Sequence, residues 1–119
     1  VVGFCMGGQL ALYAACNAPE VGAAVDFYGI HPHVPLDFSR TTASFLGFFG
    51  GKDTMVTREV ADGLEAKIKT AGRPVEFHHY PNAGHAFFND TRPEAYNADA
   101  AQDAYARMLT FFRRELTSA

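Results

Sequence analysis

Val1-Val2-Gly3-Phe4-Cys5-Met6-Gly7-Gly8 decides how the chain folds, because a short apolar run passes straight into a Gly-x-Cys-x-Gly-Gly turn and then into a helical pattern. A strand that reverses into a helix within two or three residues crowds its own backbone, and glycines beside the apex remove the Cβ atoms that would collide. This is the layout of a nucleophile elbow, in which the apex residue, usually Ser, projects at the carboxyl end of a strand and the amino end of a helix. Here the apex is Cys5. Unsatisfied helix N–H groups favour an anion at that position, so the thiol is expected to ionise more readily than a free one. The same stretch also fits a plain strand-to-helix turn with a buried, inert Cys. Only partners further along the chain can separate the two readings.

Working outward, Gln9 to Asn17 has Leu10, Ala11, Ala14 and Ala15 at helical spacing, a small-residue stripe suited to close packing on a sheet, and Pro19 ends it. The second half of Val21 to Tyr28 reads as a buried strand. Gly29 to Ser44, with Pro32, Pro35, Asp37 and Ser39, has no periodicity and reads as a loop of about fifteen residues, a length often tied to function. Its His31 and His33 lack a carboxylate or Cys at ligand spacing, so metal binding is not expected there. Phe45 to Gly50 is a third strand, ending in Gly51-Lys52-Asp53. Thr57 is placed to cap a helix with Val60, Ala61, Leu64 and Ile68 inward, a Glu65–Lys69 pair outward and Gly72 at its end. Val75 to Tyr80 alternates between Pro74 and Pro81, which predicts a strand toward the sheet edge with His78 and His79 on opposite faces. The tight turn Asn82-Ala83-Gly84 puts His85 just past that strand. From about Asn97 to Leu116, Ala101, Ala104, Tyr105, Met108, Phe112 and Leu116 form the apolar face of a last helix, after which Thr117 to Ala119 are expected to fray.

Strands alternating with helices imply an α/β fold of about four parallel strands with helices on both faces, in which ligands collect at the carboxyl ends of the strands. Cys5, Asp53 and His85 each follow a predicted strand, in the order nucleophile, acid, base. Each has a role: the His takes and returns the nucleophile's proton, and the acid fixes the imidazole's tautomer.

With 119 residues, 48% of them hydrophobic, the chain can bury one modest core and holds at most one domain. A net charge of −3 without a Lys/Arg cluster argues against a nucleic-acid or anionic-membrane partner. No apolar run approaches the ~20 residues of a membrane helix, and the chain reads as soluble. Cys5 and Cys16 would stand roughly 15 Å apart along one helix at ~1.5 Å per residue, too far to bridge. Two free thiols point to a reducing compartment and hence to the cytoplasm.

Gly3-Phe4-Cys5-Met6-Gly7-Gly8, Phe27-Tyr28-Gly29, Phe48-Phe49-Gly50-Gly51-Lys52-Asp53 and Tyr80-Pro81-Asn82-Ala83-Gly84-His85-Ala86-Phe87 together resemble the dienelactone hydrolase (carboxymethylenebutenolidase) family of the α/β-hydrolase superfamily. The resemblance spans nearly the whole chain and implies a partial α/β-hydrolase fold, with residues 1–119 as the carboxyl-terminal part of one domain that starts at the elbow strand. It implies Cys5 as nucleophile, Asp53 as orienting acid and His85 as base, acting on lactones or carboxylic esters through an acyl-enzyme without a cofactor. The Met6 amide would supply one oxyanion-hole donor, and Phe4 and Tyr28 would line the substrate pocket. In the family, a second oxyanion donor and a Glu that meets the thiol precede the elbow, in a part that residues 1–119 do not include. An Arg that holds a substrate carboxylate also follows the His closely in well-studied members. Here Ala86-Phe87-Phe88-Asn89 stands in that place, and the nearest candidate is Arg92, in turn sequence where an exposed Arg is ordinary.

Two other expectations stand beside the hydrolase. One is a binding module that keeps the fold with an unreactive Cys5. The other is that residues 1–119 alone expose an apolar edge, and are inactive and poorly stable unless they associate.

Overall fold

A computed structural model describes residues 1–116, ordered β1 (Val2–Phe4), α1 (Met6–Asn17), β2 (Ala23–Phe27), β3 (Ser44–Gly50), α2 (Arg58–Thr70), β4 (Val75–Tyr80) and α3 (Ala98–Leu116). The expected fraying of Thr117 to Ala119 lies outside the described residues. All strand pairings are parallel, in the order β1-β2-β3-β4. Every residue of β2 and β3 is buried, which accounts for runs without polar alternation: a parallel strand covered on both faces has no wet side. β4 is an edge strand and is half-buried throughout.

The two faces carry separate cores. Val25, Phe27, Leu46 and Phe48 pack with Phe87 and with Ala100, Ala104 and Phe111 of α3. On the other face Ala24 and Phe45 pack with Leu12 and Ala15 of α1 and Leu64 and Ile68 of α2. β4 divides its neighbouring histidines between them: the His78 ring stacks on Phe48 at 5.7 Å and the His79 ring on Phe49 at 5.6 Å. The Thr57 side chain accepts from the Val60 amide at 3.4 Å, Lys69 and Glu65 pair at 3.7 Å, and Gly72, with φ 78°, follows the end of α2.

Three helix faces differ from the periodic reading. α1 starts at Met6 and turns Gly8, Gln9, Ala11, Leu12 and Ala15 inward, leaving Leu10 exposed and Ala14 half-buried. In α2, Val60 is exposed, because the sheet-facing stripe is Ala61, Leu64 and Ile68. In α3 the buried set is Ala100, Ala101, Ala104 and Phe111, with Met108 and Phe112 at its margin and Tyr105 and Leu116 in solvent. Among the described residues no helix is long and apolar enough to cross a membrane. Val2, Phe4, Met6, Leu10 and Tyr13, on β1 and α1, are each 40% exposed or more.

Candidate active site

The elbow is tight enough to dictate its own sequence. Cys5 caps α1 with φ 56° and ψ −128°, a conformation that side-chain-bearing residues rarely adopt. It is held by its amide, which donates to the Phe27 carbonyl at 3.0 Å, and by its carbonyl, which accepts from the Gly8 amide at 2.8 Å. A Cβ at Gly3 would collide with the Gly7 carbonyl, so the strand can meet the helix only through glycine there. Tyr28 (φ 45°) and Ala86 (φ 64°) complete the set of non-glycine residues with positive φ among the described residues, and both line the same cleft as Cys5.

Three strand ends bring Cys5, Asp53 and His85 together. Cys5 Sγ lies 3.2 Å from His85 Nε2, and His85 Nδ1 lies 2.7 Å from Asp53 Oδ2. The Asp53 side chain is wholly buried, and its other oxygen, Oδ1, accepts the amides of Met55 at 2.8 Å and Val56 at 3.0 Å. The carboxylate is thereby fixed in rotation with Oδ2 toward the ring. A carboxylate at Nδ1 requires a proton there, which leaves Nε2 as the acceptor facing the thiol. The His85 ring also packs against the Tyr28 ring, centroids 5.1 Å apart.

The expected ease of thiol ionisation is not found. Burial pushes the Cys5 thiol up, Asp53 pushes the same way, and so would a charge at Asp26, while the Arg92 guanidinium pulls down. Desolvation by the surrounding walls is the leading cause, and it acts against the favourable end of α1. His85 Nε2 is the side-chain nitrogen set against that sulfur, at 3.2 Å. Burial also pushes the Tyr28 hydroxyl up to about 12, so it stays protonated at neutral pH.

A cleft of about 430 Å³ opens at the sulfur, lined by Phe4, Cys5, Tyr28, Ala86, Phe88 and Arg92 among others. The Phe88 ring stacks on Phe4 at 5.5 Å and meets Phe27 at 4.7 Å, giving the cleft an aromatic wall. Arg92 lines the cleft, with its side chain 55% exposed and paired with Glu94 at 3.2 Å. The Met6 amide begins α1, where the first amides have no carbonyl one turn earlier to bond. His31 and His33 lie in the loop after β2 with rings 5.5 Å apart. Among the described residues no group of three or more His, Cys, Asp or Glu is gathered as a metal site.

Ala86-Phe87-Phe88 reads from sequence as an apolar wall after His85, and Phe88 stands at the cleft, whereas sequence reasoning passed over Asp26 and Gln9, buried beneath the elbow. Asp26 did leave a signal, an acidic residue inside an otherwise apolar strand run.

Residues 1–116 match the model of the family described as the dienelactone hydrolase family. A Yersinia pestis protein, provisionally named a carboxymethylenebutenolidase, is 40% identical over 129 residues, covering 100% of this chain and 48% of its own length. Among solved structures, a provisionally named dienelactone hydrolase of Klebsiella pneumoniae superimposes with a TM-score of 0.84 at 29% identity, over 93% of this chain and 50% of that one. A dienelactone hydrolase-like promiscuous phosphotriesterase from metagenomic libraries shares the fold, with a TM-score of 0.85 at 24% identity over 96% of this chain and 51% of that one. The chain thus spans about half the length of the curated relatives it matches.

Proposed function

This chain belongs to the dienelactone hydrolase family, and we propose that it cleaves lactones or carboxylic esters through Cys5, His85 and Asp53. The observation that supports the reading is the unbroken relay from sulfur to imidazole to carboxylate, at 3.2 Å and 2.7 Å. His85 Nε2 takes the thiol proton as sulfur attacks the ester carbonyl, and the Met6 amide donates to the oxyanion that forms. When the C–O bond breaks, the leaving oxygen takes the proton from His85 and the acyl group stays on sulfur as a thioester. Water then attacks with His85 again as base. The carboxylic acid leaves and the proton returns to Cys5, so the sum is ester plus water to acid plus alcohol. Asp53 holds the ring in the tautomer this needs and stabilises it while it carries the proton. No cofactor enters these steps.

The cleft suits a small-molecule ester or lactone with a flat or apolar acyl part against Phe4, Tyr28 and Phe88, and Arg92 is positioned to meet a negative group at its rim. Cys5→Ala and Cys5→Ser tested on p-nitrophenyl acetate decide the nucleophile. A loss of roughly a thousandfold or more in kcat is expected for each, and retained turnover in Cys5→Ala overturns the assignment.

Two other readings have their own tests. For a binding module with an unreactive Cys5, a pH titration of Cys5 alkylation showing no reaction at neutral pH would support it. The exposed apolar side chains of β1 and α1, with the greater length of the relatives, favour residues 1–119 forming the carboxyl-terminal part of one hydrolase domain. On that reading, turnover also needs the rest of such a domain, with its second oxyanion donor and thiol-contacting Glu. Adding that part to residues 1–119 should then raise turnover, and full activity without it would exclude the requirement.

A further inference from the structure

Asp26 is a wholly buried carboxyl in β2, in register with Gly3 of β1 on one side and Gly47 of β3 on the other. Its Oδ1 accepts the Gly29 amide at 2.8 Å. A Cβ at Gly8 would run into that same oxygen, and a Cβ at Gly29 would strike the Cys5 carbonyl while lying 2.9 Å from both Asp26 Oδ1 and the Gln9 amide nitrogen. The carboxyl is therefore wedged between the first turn of α1 and the turn that follows β2, directly under the elbow. Gln9, 2% exposed, ties α1 to the loop further on: its Nε2 donates to the Val34 carbonyl at 3.1 Å. Asp26 Oδ2 and Gln9 Oε1 are buried side-chain oxygens without a hydrogen-bond partner among the described residues.

Burying a carboxylate without a cation is far costlier than burying the neutral acid. Among the described residues, the groups that act on Asp26 include no Lys, Arg or His: burial drives its pKa well up, and the Gly29 amide opposes only part of that. We infer that Asp26 is a positioning residue for Cys5, a carboxyl neutral at rest that braces the elbow from beneath by holding the Tyr28–Gly29 turn against the start of α1. The inference rests on the hydrolase reading of Cys5. A charge at Asp26 would add to that of Asp53 in opposing the thiolate, whereas the neutral acid supplies the brace without that penalty. The other ionisable groups near the sulfur are Tyr28, His85, Asp53 and Arg92.

Cys5 carbamidomethylation by iodoacetamide tests the inference apart from turnover, because it reads the thiol itself. The rate is followed from pH 5 to 10 by the mass of the peptide carrying Cys5, separately from that carrying Cys16, in wild type, Asp26→Asn and Asp26→Ala. Asn keeps the shape and the acceptor for Gly29, so its pH profile should overlay the wild type. Ala removes the brace, and its rate at neutral pH should change by about tenfold or more, with a matching fall in kcat and little change in KM. An Asp26→Asn midpoint displaced downward would show that Asp26 is charged at rest and overturn the inference. So would an Asp26→Ala profile identical to wild type. If Asp26→Ala fails to fold, the Asp26→Asn comparison still decides whether the brace is neutral. Failure of ester turnover in every variant, with the alkylation profiles as expected, would count against the hydrolase reading alone.

Discussion

Asp53→Asn is the substitution for which the geometry gives the clearest consequence. Asp53 Oδ1 is held by two amides, from Met55 at 2.8 Å and Val56 at 3.0 Å. An asparagine must present its oxygen to those donors, because its NH₂ would oppose two N–H groups, so the NH₂ is turned toward His85. The ring atom now facing it, 2.7 Å away in the wild type, must become an acceptor. The neutral imidazole then carries its proton on Nε2, which faces the Cys5 thiol at 3.2 Å and can no longer accept from it. The volume, the two amide bonds and the burial are all retained, so the fold should survive with its melting temperature little changed. A wrong-tautomer base costs about 10³- to 10⁴-fold in kcat, or roughly 4–5.5 kcal/mol of barrier at ~1.36 kcal/mol per tenfold. The assay is kcat and KM on p-nitrophenyl acetate beside circular dichroism, in wild type and variant. Activity within about threefold of wild type in a folded Asp53→Asn would refute the claim that Asp53 sets the tautomer of a base at His85.

Asp26 makes stability depend on pH with a definite sign. Its folded pKa lies above its unfolded value, so between the two the native state binds more protons, and stability falls as pH rises from the unfolded pKa of ~3.9 toward the folded one, by at most about 1.4 kcal/mol per pH unit. Asp26→Asn should lack this slope in urea melts across that range, and parallel slopes in the two proteins would contradict it. Phe88→Ala removes a ring that packs against Phe4 and Phe27, and should raise KM for an aryl ester about tenfold with kcat largely unchanged. An unchanged KM would remove Phe88 from the substrate wall. Residues 1–119 alone, exposing Val2, Phe4, Met6, Leu10 and Tyr13, should sediment as concentration-dependent assemblies. A dilute monomer with a cooperative unfolding transition would speak against that.

The sheet was legible because β2 and β3 are buried on both faces, so their apolar runs needed no phase to interpret. Helix faces were less so. In α1 and α3, apolar side chains such as Leu10, Tyr105 and Leu116 lie on the outer surface, and hydropathy alone cannot tell them from Leu12 and Phe111, which face the sheet. Cys5, Asp53 and His85 could be nominated from their places after strands, but their separations depend on twist and register that no spacing rule supplies. The thiol's electrostatics were only partly legible for a related reason: the helix terminus is visible in the sequence, whereas the burial and the Asp53 charge that push the thiol up arise only once distant segments meet. Asp26 could have been singled out as an acid in an apolar run. Its role under the elbow needed the close approach of Gly8 and Gly29, which only the folded chain shows.

In the proposed mechanism Cys5 carries the acyl group. Acid-quenching the protein during turnover of p-nitrophenyl acetate and measuring the peptide masses tests it directly. One acetyl group is expected on the peptide containing Cys5, formed at the rate of nitrophenol release and absent in Cys5→Ala, which should turn over no ester. Ester consumed with the acetyl group on another residue, or consumed undiminished by Cys5→Ala, would contradict it.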